Sequence, residues 1–450
     1  MPESQEASIG RDNHAKILAE FGGAYDDPAL QAYVTGVGKK VAATSEKSSL
    51  DFRFTILDSP IVNAFAMPGG YVYVTRGLLA LASSEAELAG VLGHEIGHVT
   101  ARHMAQRYSQ AMLAQIGLLG LGMATGSSTV TELAGAGAAV YLQSFSREEE
   151  FEADLLGVRY ISRAAYDPQG MGSFLDKMLM NSRLDAEIAG KPGAADQFDI
   201  MATHPRTADR VQRAVAEAAT QPVPNPAVGG NTYLAKIDGL LYGDDPKQGF
   251  IRDRQFLHPV LRLAFTAPAG FRLMNGSDQV TGTGPQKGLA FAFDRDPRTP
   301  GDLAAYLTQQ WAPKLDLQDV ESRTVSGLPA ATARARASTR SGPVEVRLAA
   351  IRLGDATYRF LFLATPALAA ALDDGFNQTV ASFRRLSAAE AAALKPQRIK
   401  IVTVMAGDTI AGLGGRMPFP DYREEPFRVL NGLGPDSQIK PGQRVKIVVQ

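Results

Sequence analysis

Two histidines four residues apart are the strongest candidates for chemistry in this chain. His94 and His98 lie in the segment GHEIGHVT, and a helix there places both rings on one face, about one turn apart. Two imidazoles at this spacing can bind one metal ion, and Glu95 beside them can reach a water on that metal. The chain has no Cys, so His and carboxylates must hold any metal. The pattern predicts a zinc site with Glu95 as the general base.

A catalytic zinc needs a third protein ligand, and His103 is the nearest candidate in the sequence. It follows His98 by five residues. If the helix continues to about Arg107, that spacing turns His103 away from the shared face. We therefore expect His103 to pack against the site or to support a ligand, without binding the metal.

The acidic segment SREEEFEADLLG, residues 146–157, offers better candidates. Glu150 and Asp154 are four residues apart on one helical face, and neighbouring apolar residues would hold that helix in the core. One of these carboxylates can bind the metal while the other accepts a hydrogen bond from a ligand histidine. The other glutamates of the segment are typical of a solvated helix face.

The elements that must position these residues can be predicted from the first 220 residues. Asp27 before a proline favours a helix start, and Ser84 with a glutamate at position 87 is typical of a capping box. The segments DFRFTILDSP and GGYVYVTRGLL alternate as strands do. We expect a mainly helical domain with a small β-sheet, in which Ser84 opens the helix of His94 and His98.

HEIGH followed by SREEEFEAD resembles the M48 family of zinc metallopeptidases, over roughly residues 5–216. The resemblance implies a zincin-type catalytic domain that hydrolyses peptide bonds of protein substrates with one Zn²⁺ per chain. It assigns His94, His98 and Glu150 as zinc ligands and Asp154 as a hydrogen-bonding partner behind them. Glu95 is implied as the general base.

Two further segments are similar to that family. NAFAMPGGYVYVTRGLL resembles its strand beside the cleft, and it also suits a plain hairpin with a Pro-Gly-Gly turn. The implied substrate-strand residues are Asn63, Ala64, Phe65, Ala66, Pro68, Gly69 and Gly70. THPRTADR resembles the family's late histidine-proline motif, which implies that His204 and Arg210 lie near the zinc. Either can donate to a developing oxyanion, whereas in some relatives the matching histidine occupies the metal and restrains activity.

The chain as a whole is predicted to be multidomain α+β. The predicted parts are a peptidase domain (1–220), a linker rich in Pro, Gly and Asn (221–245), an α/β module (246–386) and a C-terminal βααβ module (387–450). The third part weakly resembles PsbP and Mog1-like modules, and we expect its His258 to be a core or turn histidine.

The C-terminal module resembles LysM domains, which bind glycans such as peptidoglycan. Gly407, Asp408, Thr409 and Asn431 match the pattern and are the implied glycan-binding residues. The segment GGRMPFPDYREEP departs from the pattern because it is enlarged and rich in proline. Glycan binding and a purely structural cap are therefore both open.

Charge and hydropathy restrict the partners. A net charge of −1 provides no basic field for nucleic acid. The apolar stretch at residues 111–125 is too short and too rich in glycine for a membrane span, so we expect a buried helix or a peripheral contact with a membrane or substrate. The polar N-terminus indicates either a cytoplasmic protein or a chain whose leader has been removed.

The opening resembles the periplasmic branch of M48, which implies a periplasmic or envelope location and cleavage of misfolded envelope proteins. The alternative is an envelope or peptidoglycan-binding scaffold whose protease domain is latent and restrained by His204.

Overall fold

The computed structural model describes residues 2–109, 144–188, 204, 208–339, 342–419 and 424–450. They form two compact units of mixed helices and sheets. The first comprises residues up to Ala19, Gly23–Gly243 and Gln397–Gln450, and the second comprises Glu20–Gly22 and Asp244–Pro396. The prediction of a multidomain α+β chain is therefore confirmed at this level. The apolar stretch at residues 111–125 lies outside the described residues.

The first unit begins with helices and a small sheet. In chain order these are α1 (Glu3–Glu20), α2 (Pro28–Ala42), β1 (Arg53–Leu57), β2 (Ala64–Met67), β3 (Tyr71–Thr75), α3 (Arg76–Leu81) and α4 (Glu85–Thr100). The strand order is β1-β3-β2, with β1 parallel and β2 antiparallel to β3. Asp27 caps α2 as predicted, since its Oδ1 accepts a hydrogen bond from the backbone N–H of Leu30.

Helix α4, which carries the paired histidines, starts where the sequence predicts. The Ser84 hydroxyl oxygen accepts a hydrogen bond from the Glu87 backbone N–H at 3.1 Å. However, the predicted extension to about Arg107 is wrong, because α4 ends at Thr100. Arg102 has a φ of 63°, a left-handed conformation that a non-glycine residue rarely adopts within a helix. The chain turns there, and residues 103–109 are helical again.

The described helices that follow in this part pack on α4 or on one another. They are α5 (Arg147–Arg163), α6 (Gln169–Ile188), α7 (Ala208–Thr220) and α8 (Gly230–Ile237). Helix α5 crosses α4 closely because glycines stand at the contact. A Cβ on Gly97 would lie 2.9 Å from the Ala153 carbonyl oxygen, and one on Gly157 would lie 2.9 Å from the His94 backbone nitrogen. This crossing brings the acidic face of α5 against the histidines of α4.

Residues 221–245 are not a simple linker. They contain α8, whose Tyr233 and Ile237 are fully buried, and the short strand β4 (Leu241–Tyr242). The Tyr233 hydroxyl donates a hydrogen bond to the Leu79 carbonyl oxygen at 2.6 Å. The tyrosine and isoleucine at helical spacing therefore decide the structure of this segment despite the prolines before it.

The C-terminal segment belongs to the first unit, although the sequence suggests a separate module. It contains β16 (Gln397–Thr403), α12 (Ile410–Gly414), α13 (Glu425–Asn431) and β17 (Arg444–Val449), with strand order β17-β16-β4. Ile399, Val429, Leu430 and Val448 lie in the same hydrophobic cluster as the core residues of α2 to α4. The βααβ order matches the prediction, but its core continues into the peptidase part.

The second unit is mainly antiparallel sheet. Its strands are β5 (Phe250–Arg252), β6 (Gln255–His258), β7 (Leu263–Thr266), β8 (Arg272–Asn275), β9 (Gln279–Thr283), β10 (Leu289–Asp296), β11 (Gln318–Val325), β12 (Leu328–Thr339), β13 (Gly342–Leu353), β14 (Ala356–Ala364) and β15 (Arg384–Arg385). The sheet orders are β11-β12-β13-β14-β10-β9-β8 and β15-β7-β6-β5. The described residues of this unit also contain the helices α9 (Leu303–Tyr306), α10 (Ala369–Ser382) and α11 (Ala388–Ala393).

The core of the second unit is aromatic, with Phe265, Phe291, Phe360 and Phe362 all nearly or fully buried. Across the described parts of both units, no helix combines the length and the apolar character needed to cross a bilayer.

Candidate metal centre

The buried face of α4 carries His94, Glu95 and His98. Their exposed fractions are 5%, 2% and 1%, so all three ionisable groups are removed from water. The Nε2 atoms of the two histidines lie 3.0 Å apart. The spacing of four residues therefore directs both ring nitrogens towards one point, as a shared metal ligand pair requires.

Helix α5 brings Glu150 and Asp154 to the two sides of His94. Glu150 Oε2 lies 3.6 Å from His94 Nε2, and its Oε1 lies 3.5 Å from His98 Nε2. Asp154 Oδ1 lies 2.8 Å from the other ring nitrogen of His94, Nδ1. Glu150 thus faces the point where the histidines converge, while Asp154 holds the back of one imidazole.

His204 lies within this group rather than beside it. Its Nδ1 is 2.7 Å from Glu150 Oε1 and 3.2 Å from His94 Nε2, and its Nε2 is 3.4 Å from Glu95 Oε1. One possible ligand atom from each of His94, His98, Glu150 and His204 lies within 4.8 Å of all the others. The structure therefore offers a fourth ligand that the resemblance left open.

Arg210, on α7, is engaged with the two carboxylates. Its Nε and Nη2 each donate a hydrogen bond of 2.8 Å to Asp154, and its Nη1 lies 2.5 Å from Glu150 Oε2. Arg210 is 3% exposed. These contacts favour a residue that orients Glu150 and Asp154, and they leave His204 as the better placed of the two predicted oxyanion donors.

The charges of the site suit a cation. Burial alone would raise the pKa of Asp154, but the Arg210 guanidinium outweighs it and lowers the pKa to about 2. Burial is likewise overcome at Glu150, where Arg210 and His204 hold the pKa well below its usual value. Burial lowers the pKa of His98 well below its usual value and raises that of Glu95. Ionised carboxylates and a neutral imidazole are the forms that bind a metal.

The donor atoms themselves fit a zinc ion. Because Asp154 faces Nδ1 of His94, the proton belongs on that nitrogen, and Nε2 presents a lone pair. The neutral ring of His98 presents its own Nε2 to the same point. Imidazole nitrogens and a carboxylate that face one point are stabilised by a cation, and His94, His98, Glu150 and His204 offer the N and O donor atoms that zinc prefers.

Comparison with known proteins agrees with this geometry. The profile of Peptidase family M48 matches residues 28–218. Residues 28–218 therefore match an M48 peptidase domain. The beta-barrel assembly-enhancing protease of Yersinia pestis is 34% identical over 252 residues, which cover 54% of this chain and 50% of that protein. The mitochondrial metalloendopeptidase OMA1 of Arabidopsis thaliana is 33% identical over 181 residues, covering 40% of this chain and 34% of that protein. The chain spans at most about half the length of these relatives.

Among solved structures, cyanobacterial PsbP from Synechocystis sp. PCC 6803 is similar at 11% identity and a TM-score of 0.25, over 32% of this chain and 98% of that one. LpqN of Mycobacterium tuberculosis is similar at 15% identity and a TM-score of 0.22, over 28% of this chain and 83% of that one.

Two further side chains of this part contact the clustered histidines. His103, which is 3% exposed, places its Nδ1 2.9 Å from Nδ1 of His98. His103 thus packs against His98, as expected. The turn at Arg102 places it there, rather than a continuing helix. Sequence reasoning missed Phe145, whose ring stacks on His98 at 4.0 Å between centroids and on His204 at 5.3 Å. Its position directly before the cap Ser146 was the available signal, since apolar residues there often pack back onto the helix.

The predicted substrate-strand residues of the M48 domain divide into two groups. Asn63 and Ala64 line a small cavity together with His94, Glu95 and His204, and β2 is last in the order of its sheet. Phe65 stacks on Tyr73, Ala66 pairs with Val72, and the Pro68–Gly70 turn packs under α1. A Cβ on Gly69 would lie 2.7 Å from Ala7 Cα. The structure therefore brings Asn63 and Ala64 to the metal centre, places Pro68 and Gly69 against α1, and places Gly70 beside Leu50.

The residues that match LysM domains make local hydrogen bonds. Gly407 has a φ of 91°, Asp408 accepts from the Met405 backbone N–H, and Thr409 caps α12. Asn431 donates to the carbonyl oxygens of Phe427 and Lys446 and accepts from the Lys446 N–H. These four residues therefore stabilise the local structure of the C-terminal segment, through its turns, the start of α12 and the contact between α13 and β17.

His258, in the second unit, is buried and hydrogen-bonded as expected for a turn histidine. Its Nδ1 accepts from the Leu261 backbone N–H at 3.2 Å. Burial lowers the pKa of His258 to about 4, so the ring is neutral near pH 7.

Proposed function

We propose that the chain is a zinc-dependent metalloendopeptidase. The observation that carries the proposal is the convergence of His94 Nε2, His98 Nε2 and the Glu150 carboxylate in a buried site, with Glu95 on the same helix. We assign these three residues as ligands of one Zn²⁺, and Asp154 as the acceptor that fixes the His94 tautomer. Arg210 orients the two carboxylates.

A zinc ion held there would polarise the scissile carbonyl and make water a better nucleophile. The Glu95 carboxylate takes the proton of the attacking water and returns it to the leaving amine. Because burial raises the pKa of Glu95 above its usual value, this carboxylate is a better base than an exposed one. His204, 3.4 Å from Glu95, then donates to the developing oxyanion.

The substrate class follows from the relatives. One is named a beta-barrel assembly-enhancing protease and the other a metalloendopeptidase, so we propose polypeptides as substrates. More specifically, we propose that the substrates are misfolded proteins of the bacterial envelope and that the protein is located in the periplasm. Substrates bind in extended form alongside Asn63 and Ala64, which line the metal-centre cavity.

Three parts of the prediction concern regions away from the metal centre. We propose a PsbP-like fold for the second unit, supported by its antiparallel sheets and its helix α10. Peptidoglycan binding through Gly407–Thr409 and Asn431 stays a prediction, as does membrane contact near residues 111–125. The local hydrogen bonds of Thr409 and Asn431 favour the structural alternative for the C-terminal segment.

The direct test is cleavage of casein and of an unfolded outer-membrane protein by zinc-loaded protein. Wild type and the exposed control variant Glu148→Gln are expected to cleave both, and Glu95→Gln is expected to be inactive while retaining zinc. If wild type and His204→Ala are both inactive with one zinc bound per chain, the proposal fails.

The position of His204 supports a second candidate, a latent protease domain within an envelope scaffold. Its Nδ1 belongs to the same ligand group as the other three residues, and four protein ligands would close the coordination that a catalytic zinc keeps open. If His204 restrains the domain, His204→Ala cleaves faster than wild type. If it donates to the oxyanion, the same variant cleaves more slowly.

A further inference from the structure

A second cavity of about 360 Å³, the distal cavity, lies in the first unit beside the metal centre. Its lining comes from the segment 60–62, α3, α6, β4 and α13. The side chains include Leu184 and Asn181 of α6 and Val429 and Pro426 of α13. The C-terminal segment therefore forms one wall of a cavity whose other walls belong to the peptidase part.

The distal cavity and the metal-centre cavity are consecutive along three elements. Met178 of α6 lines the metal-centre cavity, and Asn181, one turn later, lines the distal cavity. Residues 63 and 64 line the first and residues 60–62 line the second. On α3, Leu78 faces the metal-centre cavity and Gly77 the distal one. An extended chain that leaves the metal centre along this direction enters the distal cavity.

The wall provided by the C-terminal segment is fixed in place. Lys446 of β17 is fully buried, and its Nζ donates to the carbonyl oxygens of Ala80, Leu81 and Ala82 at 2.8, 2.8 and 2.6 Å. These carbonyls are at the end of α3, which itself lines the cavity. The cavity is therefore a built feature of one compact unit.

The lining contains a buried donor that lacks an acceptor. Arg76 is fully buried; its Nε donates to Asp58 Oδ1 at 2.6 Å and its Nη1 to the Leu241 carbonyl oxygen at 3.3 Å. Within the described part of the chain, Nη2 has no hydrogen-bond partner. Because Asp58 already neutralises Arg76 and Asp185 lines the same cavity, a neutral acceptor such as a peptide carbonyl suits this donor better than a carboxylate does.

We infer that the distal cavity binds an extended segment of the polypeptide substrate, so that the C-terminal segment takes part in choosing substrates. This inference rests on the proposed peptidase function. An apolar substrate side chain packs against Leu184 and Val429, and a substrate backbone carbonyl accepts from Arg76 Nη2. Met178 and Asp185 are about 10 Å apart along α6, so a substrate segment of about three residues beyond the metal-centre cavity reaches the far end of the distal cavity.

The test compares two peptides with the same scissile bond, one ending two residues from that bond on both sides and one extended by six residues on both sides. Asn181→Trp and Pro426→Trp fill the cavity from opposite walls, and Arg183→Trp places the same ring on the exposed face of α6. For wild type and Arg183→Trp, kcat/KM of the long peptide is expected to exceed that of the short one at least about tenfold. In both filling variants this ratio is expected to fall to about one.

A second readout does not depend on catalysis. Fluorescence anisotropy measures binding of the same labelled peptides to Glu95→Gln and to Glu95→Gln combined with each tryptophan substitution. The long peptide is expected to bind more tightly, and only the filling variants should lose that preference. If wild type cleaves neither peptide, the peptidase proposal fails. The anisotropy measurements then still decide whether the distal cavity binds an extended peptide. The inference is overturned if the long peptide has no advantage, or if the filling variants retain it.

Discussion

At its N-terminal end, helix α4 buries Glu87, and near its C-terminal end it buries His94 and His98. The Glu87 carboxylate accepts from Lys177 Nζ at 2.8 Å and from the Ser173 hydroxyl at 2.6 Å. The histidine rings instead direct nitrogen lone pairs towards each other and towards Glu150. One helix thus carries two buried polar groups, of which the first is satisfied by the protein and the second needs a cation.

The comparison shows how a structural charge differs from a binding site. Each buried acceptor at Glu87 has a donor from the chain, so removing one partner should affect stability alone. At the histidines, two imidazole Nε2 atoms face each other and the Glu150 carboxylate, and although Arg210 donates to that carboxylate, the facing nitrogens cost free energy unless a metal binds. Both ends are buried, and the pairing of donors with acceptors distinguishes them.

The largest expected effect is at the histidine end. Replacing Glu95 with Gln removes the base but keeps the shape, so kcat should fall about 10²–10⁴-fold. Zinc content should remain at one per chain, because Glu95 is not among the ligands. Steady-state cleavage of a peptide and metal analysis of the same sample measure both quantities. Loss of zinc in this variant would instead make Glu95 a ligand.

At the other end, Lys177→Met should act on stability. It leaves the buried Glu87 charge without its partner, so the free energy of unfolding should fall by about 3–5 kcal/mol. The double variant Glu87→Gln/Lys177→Met should recover most of the loss, because no unpaired charge remains. Urea unfolding measures all three proteins, and a Lys177→Met variant as stable as wild type would contradict the assignment.

Asp154→Asn tests whether the Asp154 carboxylate holds the proposed ligand His94 in position. The amide no longer accepts from His94 as an ionised carboxylate does, and it loses the charge that binds Arg210. Zinc affinity should fall about 10- to 100-fold, with a smaller effect on the unfolding of the zinc-free protein. Competition with a chromophoric chelator gives the affinity. Glu148→Gln on the same helix is the control and should match wild type.

The smallest effect is a pH dependence at Glu87. Burial would raise the pKa of this carboxyl, but Lys177 and the hydrogen bonds outweigh it and lower the pKa below its usual value near 4.5. A depressed folded-state pKa contributes stability that is present above pH 4.5 and is lost as pH falls through the folded value. Urea midpoints between pH 6 and 3 should therefore fall more steeply for wild type than for Glu87→Gln. Parallel curves would show that Glu87 contributes nothing to acid unfolding.

Much of the metal centre could be predicted from the sequence because its residues lie close together along two helices. The four-residue spacings of His94 with His98 and of Glu150 with Asp154 define faces of helices, and Ser84 marks where α4 begins. Which carboxylate faces the metal could not be decided from spacing and needed the family resemblance. The position of His204 within the ligand group was also undetermined, since it depends on a contact with a residue 54 positions away.

Other features escaped prediction because they depend on backbone conformation or on distant contacts. The positive φ at Arg102 ends α4 early and brings His103 to His98, which no helical pattern would indicate. A lysine in a strand is typical of a surface position, yet Lys446 donates hydrogen bonds to carbonyl groups about 365 residues earlier in the chain. The joint core of the C-terminal segment and the M48 domain follows from such contacts.

The most direct test of the central claim compares zinc content and peptide cleavage in wild type, Glu150→Gln and Glu148→Gln. Wild type and Glu148→Gln should each bind one zinc per chain and cleave peptide at equal rates. Glu150→Gln should bind zinc far more weakly and lose cleavage at the zinc concentration that saturates wild type. A Glu150→Gln variant with wild-type zinc affinity and activity would contradict the assignment of Glu150 as the third ligand.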